Sequence, residues 1–406
     1  YLTGDFQQHP HTAGTIIHSQ YRSMVNAGRT ESLHAESLKG AIMNGKIAYL
    51  EGGRMKLMEH TLPDPEPGAI LVRVLSSNIC GSDVKNWKGG SSVGVGASKS
   101  CQGHEFVGRI EVLGEGVTTD YAGQPVKPGD RIVAAYYITC GECPACKKGR
   151  YDQCENAYIH LGQSPEQFPF FSGTFATHYY VFPKQHFYKV PDTLPDDLAA
   201  GANCRFSQIY YGLERLRPVA GETLLIQGAG SMGLYAAAIA GEKGISTIVI
   251  DSVAERLEMA KRFGADHVVS MADFPTLEER EKAVKDLTGG RGPDMAIEVT
   301  GVAAAVEEGL HHLAPMGRYV IIGTNTFAAQ ATLSPGYITR KSLEVTGVAR
   351  YLPEYLYKSL QFLDQFQHKY PFREFSSATL GLDALEEGMS MVGEKKVIHA
   401  VIVPEF

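Results

Sequence analysis

Between residues 223 and 347, short apolar runs alternate with longer amphipathic stretches. Thr223-Leu224-Leu225-Ile226-Gln227 predicts a buried strand, and the alanine-rich Leu234 to Ala240 predicts the helix after it. Thr247 to Ile250 and Asp266 to Val269 read as further strands, with a helix at Leu277 to Leu287. Asp294 to Val299, Arg318 to Gly323 and Leu343 to Gly347 continue the strands, with a helix at Val302 to Leu313. Strands that alternate with helices predict a doubly wound parallel sheet, an α/β Rossmann domain. Far upstream, Ile70 to Leu75 is a separate apolar run that predicts a strand of another unit.

Length and charge set bounds. A chain of 406 residues is too long for one core and predicts two domains. A hydrophobic content of 44% with 20% charged residues is that of a globular protein. The net charge of −7 and the absence of a basic run argue against a nucleic-acid surface. No apolar stretch reaches the ~18 residues of a membrane helix. Residues 1–38 are polar, carry His9, His11, His18 and His34, and have no apolar core like that of a signal peptide. They are expected to be an extension over a neighbour or the cleft, or a disordered tail.

Four of the seven cysteines, Cys140, Cys143, Cys146 and Cys154, follow the spacing C-x2-C-x2-C-x7-C. Neighbouring C-x2-C steps rarely meet the Cα separation of roughly 4.4 to 6.8 Å that a disulfide needs. Four thiolates on one loop suit a closed, tetrahedral structural zinc. A disulfide knot, idle thiols and an iron–sulfur cluster remain as alternatives; the last lacks its usual closing proline, since Glu155 follows Cys154. Cysteines committed to metal predict a reducing compartment, hence the cytoplasm.

Gly228-Ala229-Gly230-Ser231-Met232-Gly233 matches G-x-G-x-x-G between a predicted strand and a predicted helix. In that context the backbone around Gly228, Gly230, Met232 and Gly233 lets a diphosphate approach a helix N-terminus. The next strand ends in Asp251, about 20 residues on, where a carboxylate accepts from the adenosine ribose 2′-hydroxyl and repels a 2′-phosphate. NAD is the expected cofactor. Cys80 lies in Asn78-Ile79-Cys80-Gly81-Ser82-Asp83, and Gly103-His104-Glu105 follows about two dozen residues later.

The run G-H-E-x2-G-x5-G-x2-V from Gly103 to Val117, with the four-cysteine loop and the fingerprint in the same order, resembles the zinc-containing medium-chain alcohol dehydrogenases. The likeness covers roughly residues 39 to 406. It implies a mainly β, GroES-like catalytic domain at 39–213 completed by 352–406, with a structural-zinc lobe. The Rossmann domain is then 214–351. It also implies a catalytic zinc held by Cys80, His104 and Cys204, so two zinc ions per chain, with Asp83 and Glu105 behind the ligands. Cys204 stands where the polyol and threonine dehydrogenase branches tend to have Glu. Cys101 reads as a small buried hydrophobe, although Cys101-Gln102-Gly103-His104 could be a metal pair.

The resemblance further implies hydride transfer between a small alcohol and NAD, giving a ketone or aldehyde, in a homodimer or homotetramer. Ser82 matches the hydroxyl that contacts the substrate oxygen, and serine there hints at secondary or cyclic alcohols. Lys85 replaces a frequent histidine of the proton relay; its ordinary pKa near 10.4 makes it a poor base, and water is the alternative. Arg256 resembles the family's basic residue beside the ribose, or else meets a 2′-phosphate. Val299 and Gly323 fall where the family backs its nicotinamide. Trp87 reads equally as a pocket wall or a core aromatic, and so does the Phe168-Pro169-Phe170-Phe171 stretch. The rival functions are an NADP-dependent aldehyde or ketone reductase and a non-catalytic nucleotide-binding relative.

Overall fold

The structure, a computed structural model, describes residues 43–90, 98–324 and 328–405. The expected extension at 1–38 lies outside the described residues. Three sheets organise the described chain.

Six strands make one wholly parallel sheet in the spatial order His267–Ser270, Ser246–Asp251, Thr223–Gln227, Met295–Glu298, Arg318–Ile321, Glu344–Gly347. The apolar runs of Thr223–Gln227, Ser246–Asp251 and Met295–Glu298 are buried, as strands in the middle of a parallel sheet covered by helices are. The chain leaves Thr223–Gln227 in one direction and returns to its other side as Met295–Glu298. That reversal opens a crevice at the carboxyl ends of these two strands, the usual seat of a ligand in such sheets. The predicted strands differ from the observed ones by a residue or two at their ends. The helix expected from Leu234 is longer, Ser231–Glu242, because it starts within the fingerprint itself.

A seven-stranded sheet runs in the order Ser376–Leu380, His399–Ile402, Ile70–Asn78, Glu105–Leu113, Arg131–Ala134, Phe187–Lys189, with His178–Val181 also pairing to Ile70–Asn78. Most of its pairings are antiparallel, and it packs an apolar cluster of Val72, Val74, Phe106 and Ile132. A three-stranded sheet joins Arg54–Thr61, Asn44–Glu51 and Lys99–Cys101. After the parallel sheet, helix Glu354–Phe366 packs against helix Ser207–Arg215, with Ser359 and Ser207 hydroxyls 3.0 Å apart. The chain then adds its last strands to the seven-stranded sheet. Cys80, His104 and Cys204 thereby arrive from separate elements at one cluster.

Candidate functional site

Strand Ile70–Asn78 ends by delivering Cys80 to the N-cap of the short helix Gly81–Trp87. Asp83 closes that turn, one carboxylate oxygen accepting from the Cys80 amide at 2.8 Å. Its other oxygen lies 3.2 Å from His104 Nδ1, which fixes the ring from behind. His104 itself leads into strand Glu105–Leu113. Cys204 sits in a π-type turn, Ala202–Phe206, a rare geometry common at functional positions. Asn203 anchors this turn by donating to the His104 carbonyl at 2.7 Å and to the Ala134 carbonyl at 2.9 Å. One ligand atom from each of Cys80, His104, Glu105 and Cys204 falls within 4.8 Å of the others.

Electrostatics in this cluster favour a Cys80 thiolate beside a protonated His104 imidazolium. The Cys204 thiol donating toward Cys80 draws the Cys80 thiol well below its ordinary range, with Arg205 and His104 adding to the pull. The same contact, with burial, drives Cys204 the opposite way. Burial opposes charge on His104, but Asp83 and Cys80 outweigh it and hold the imidazole well above its usual value. Burial pushes Glu105 up to about 8 in spite of Arg205. Two thiols so strongly coupled cannot both ionise alone, and a divalent cation would remove the conflict.

The second cluster is the 140–154 loop, whose four sulfurs also lie within 4.8 Å of one another. Cys140 and Cys146 sulfurs are 3.9 Å apart, and all four cysteines are free of disulfides. Sulfurs bound tetrahedrally at ~2.3 Å stand about 3.8 Å apart, so the loop has the edge length of a zinc site. The amides of Cys143 and Cys146 point at the sulfurs of Cys140 and Cys143, at 3.4 and 3.5 Å. Amides such as that of Cys143 hold the Cys140 thiol down at about 6, while burial pushes the Cys146 thiol up to about 12. Cys101 lies outside both clusters; it is buried, its sulfur 3.7 Å from the Phe170 carbonyl, and burial pushes the thiol up to about 11.

At the parallel sheet, Gly228 has φ +105°, a conformation that suits glycine, and any Cβ there would stand 3.0 Å from Thr300 Cγ2. A Cβ on Gly233 would meet the Gly228 carbonyl at 1.8 Å, so the helix could not pack against the turn. Gly230 faces open space, and Met232 is half-buried against the core. Asp251 is buried at its strand end; one oxygen accepts from the Ala229 amide at 2.7 Å and the other from Val253 at 2.9 Å. Arg256 follows, half-buried. Val299 and Gly323 meet at the mouth of the crevice through a residue the sequence did not suggest, Glu298. One Glu298 oxygen accepts from the Thr300 and Gly301 amides, both at 2.7 Å, and the other accepts from Thr324 at 2.9 Å. Glu298→Ala would leave these amides without acceptors, so a loss of about 3 kcal/mol is expected by chemical denaturation.

Other placements are mixed. Ser82 is half-buried beside Cys80, and Lys85 lies on the same helix with its stem across Gly90. Trp87 packs with Val84, Leu385 and Met389, its indole nitrogen buried and unpartnered among the described residues. Phe171 is buried and Phe170 stacks on His60 at 4.4 Å, which makes that stretch a loop anchor. Sequence reasoning missed Tyr136, edge-on to the His104 ring at 5.6 Å with Tyr158 stacked 6.3 Å behind it. It also missed Arg205, whose buried guanidinium pairs with Glu105. A lone arginine in the apolar stretch after Cys204 is the signal that could have found it.

Cys80, His104 and Cys204 suit zinc by donor type, and the Glu105 Oε2 atom, buried without a hydrogen bond among the described residues, shows that the cluster wants a positive partner. Comparison with known proteins agrees. Residues 66–192 match the alcohol dehydrogenase GroES-like domain, and residues 231–365 match the zinc-binding dehydrogenase domain. A 5-exo-hydroxycamphor dehydrogenase of Pseudomonas putida is 33% identical over 87% of this chain and 96% of its own. An L-threonine 3-dehydrogenase of Thermococcus kodakarensis is 31% identical over 90% and 97%. An alcohol dehydrogenase from Thermotoga maritima superimposes with a TM-score of 0.84 at 27% identity, covering 89% of this chain and 100% of that one. The chain belongs to the zinc-containing medium-chain alcohol dehydrogenase family, an oxidoreductase with a GroES-like domain and a Rossmann-type sheet. That family implies zinc and a nicotinamide cofactor. Among the described residues no helix is long and apolar enough to cross a membrane.

Proposed function

We propose that the chain oxidises a secondary, ring-borne alcohol to its ketone with NAD as hydride acceptor. The observation that carries the reading is the Cys80–His104–Cys204 cluster, which Arg205 links to Ser231 of the Gly228–Gly233 turn by a 3.1 Å hydrogen bond. A zinc ion there would supply Lewis acidity toward an alcohol oxygen, and a nicotinamide would supply the hydride acceptor. Cys80, His104 and Cys204 would hold the ion, with Asp83 fixing the His104 ring. Ser82 Oγ would accept the hydroxyl proton as it passes its own to water, or to Lys85 where that amine is neutral. A second zinc in the Cys140–Cys154 loop is structural. Residues 39–213 with 352–406 form the catalytic domain and 214–351 the dinucleotide domain.

The aromatic Tyr136 beside His104 and the small Ser82 favour a bulky apolar substrate, which accords with the relative named for a hydroxycamphor. Asp251 supports NAD: a 2′-phosphate would meet a buried carboxylate already fixed by two amides. Initial rates should favour NAD over NADP by about a hundredfold in kcat/KM. Asp251→Asn, which keeps the shape but not the charge, should cut that ratio by about tenfold. An unchanged ratio would remove Asp251 from cofactor choice and return Arg256 to the 2′-phosphate. Seven free cysteines accord with a cytoplasmic home, and a homodimer or homotetramer is the assembly we assign.

Elemental analysis of the purified protein, run with NAD reduction over primary, secondary and cyclic alcohols, tests the whole reading. Two zinc ions per chain with NADH formed from a cyclic secondary alcohol is the expected result. One zinc and no turnover on any alcohol would bring the non-catalytic reading forward.

A further inference from the structure

We propose that Arg205 is a positioning residue that couples occupancy of the dinucleotide loop to the metal centre. Its backbone is tied to the first site, because it directly follows Cys204 in the π-type turn. Arg205 is only 9% exposed, and its guanidinium reaches three other elements. Nε donates to Glu105 Oε1 at 3.2 Å, next in the chain to His104. Nη2 donates to the Ile79 carbonyl at 2.9 Å, one residue before Cys80. Nη1 donates to Ser231 Oγ at 3.1 Å, inside the Gly228–Gly233 fingerprint and at the first turn of helix Ser231–Glu242. One buried cation therefore touches the neighbours of all three candidate ligands and the loop that faces a diphosphate.

A guanidinium has five N–H donors in a rigid fork, so the three bonds to Glu105, Ile79 and Ser231 leave room for a further acceptor. Among the described residues the only carboxylate bonded to this cation is Glu105, whose second oxygen is buried without a hydrogen bond. A diphosphate arriving at Ser231 brings negative charge within reach of the same cation. Any movement toward it alters the hold on Glu105 and Ile79, and with it the seats of His104 and Cys80. Coupling of this kind is reciprocal: the diphosphate must change how the metal is held, and the metal centre must change how the diphosphate binds.

The test rests on dinucleotide binding at the fingerprint and uses ADP-ribose, which carries the diphosphate but no nicotinamide. Zinc-loaded wild type, Arg205→Met and Arg205→Lys are titrated with ADP-ribose by calorimetry. The rate of zinc transfer to a chelator is then followed with and without ADP-ribose. In wild type, ADP-ribose should change the rate of the more labile zinc by about fivefold. Arg205→Met should bind ADP-ribose about tenfold more weakly and lose the rate response. Arg205→Lys keeps the charge without the fork, so it should fold and still lose the rate response; it decides the matter if the Met variant fails to fold. A lowered melting temperature with wild-type affinity and an intact rate response in the Lys variant would make Arg205 a mere prop and overturn the proposal. Wild type that binds no ADP-ribose would overturn both this coupling and the dehydrogenase reading; wild type that binds while the variants behave like it overturns only the coupling.

Discussion

Cys204→Ala is expected to lose turnover by at least about a thousandfold and to drop from two zinc ions per chain to one. The fold should survive, because the turn that carries Cys204 has other supports. Asn203 holds it to the carbonyls of His104 and Ala134, the Tyr351 hydroxyl donates to the Asn203 carbonyl, and Ser207 Oγ donates to the Ala202 carbonyl at 2.6 Å. Removing one small buried thiol leaves these bonds untouched. Circular dichroism and the melting temperature should therefore stay close to wild type while elemental analysis and NADH formation fall together. If zinc and activity both persisted, the third ligand would be Glu105, the remaining donor within 4.8 Å of Cys80 and His104. Cys204→Ala/Glu105→Gln would then lose what the single variant kept.

Much of this site is legible in the sequence because its chemistry is written locally. The four-cysteine spacing fits one loop, the fingerprint spans six residues between a strand and its helix, and the strands from 223 to 347 announce themselves by apolar runs. Asp251 is legible by distance from the fingerprint. Its additional grip on the Ala229 amide is not, since that bond joins residues 22 apart across two parallel strands. Arg205 escapes for the same reason on a larger scale: its partners are 26, 100 and 126 residues away. Glu298 reads as one more residue of a buried strand, yet its carboxylate staples the ends of two strands together. Trp87 shows the converse: proximity to Cys80 in sequence suggested the pocket as readily as the core, and the helix packs it against the apolar cluster that contains Val84 and Met389. Residues that act at long range carry no period and no spacing, so only the fold reveals them.

Cys154→Ser should also cost one zinc per chain, but with an opposite kinetic signature. Cys154 is buried and its sulfur accepts from the Cys140 amide at 3.4 Å, so its loss opens the tetrahedron and frees the loop. The loop is also pinned from outside. Arg350 donates to the carbonyls of Asp152 at 2.6 Å and Cys154 at 3.2 Å, and its guanidinium lies 4.8 Å over the Tyr158 ring. Structural zinc contributes folding energy outright, so the melting temperature should fall by about 10 °C, and residues 140–154 should become the first site of proteolysis. Tyr136 and Tyr158 flank this loop and stack on each other beside His104. Loosening it should therefore disturb the Tyr136–Tyr158 pair, proposed to face the substrate, while Cys80, His104 and Cys204 keep their places. KM for the alcohol should rise about tenfold while kcat at low temperature stays within about threefold of wild type. Cys204→Ala predicts the reverse, a collapsed kcat on a protein that melts normally. A Cys154→Ser enzyme with wild-type KM and a collapsed kcat would mean that the loop serves the reacting centre directly, and that the division into one catalytic and one structural metal is wrong.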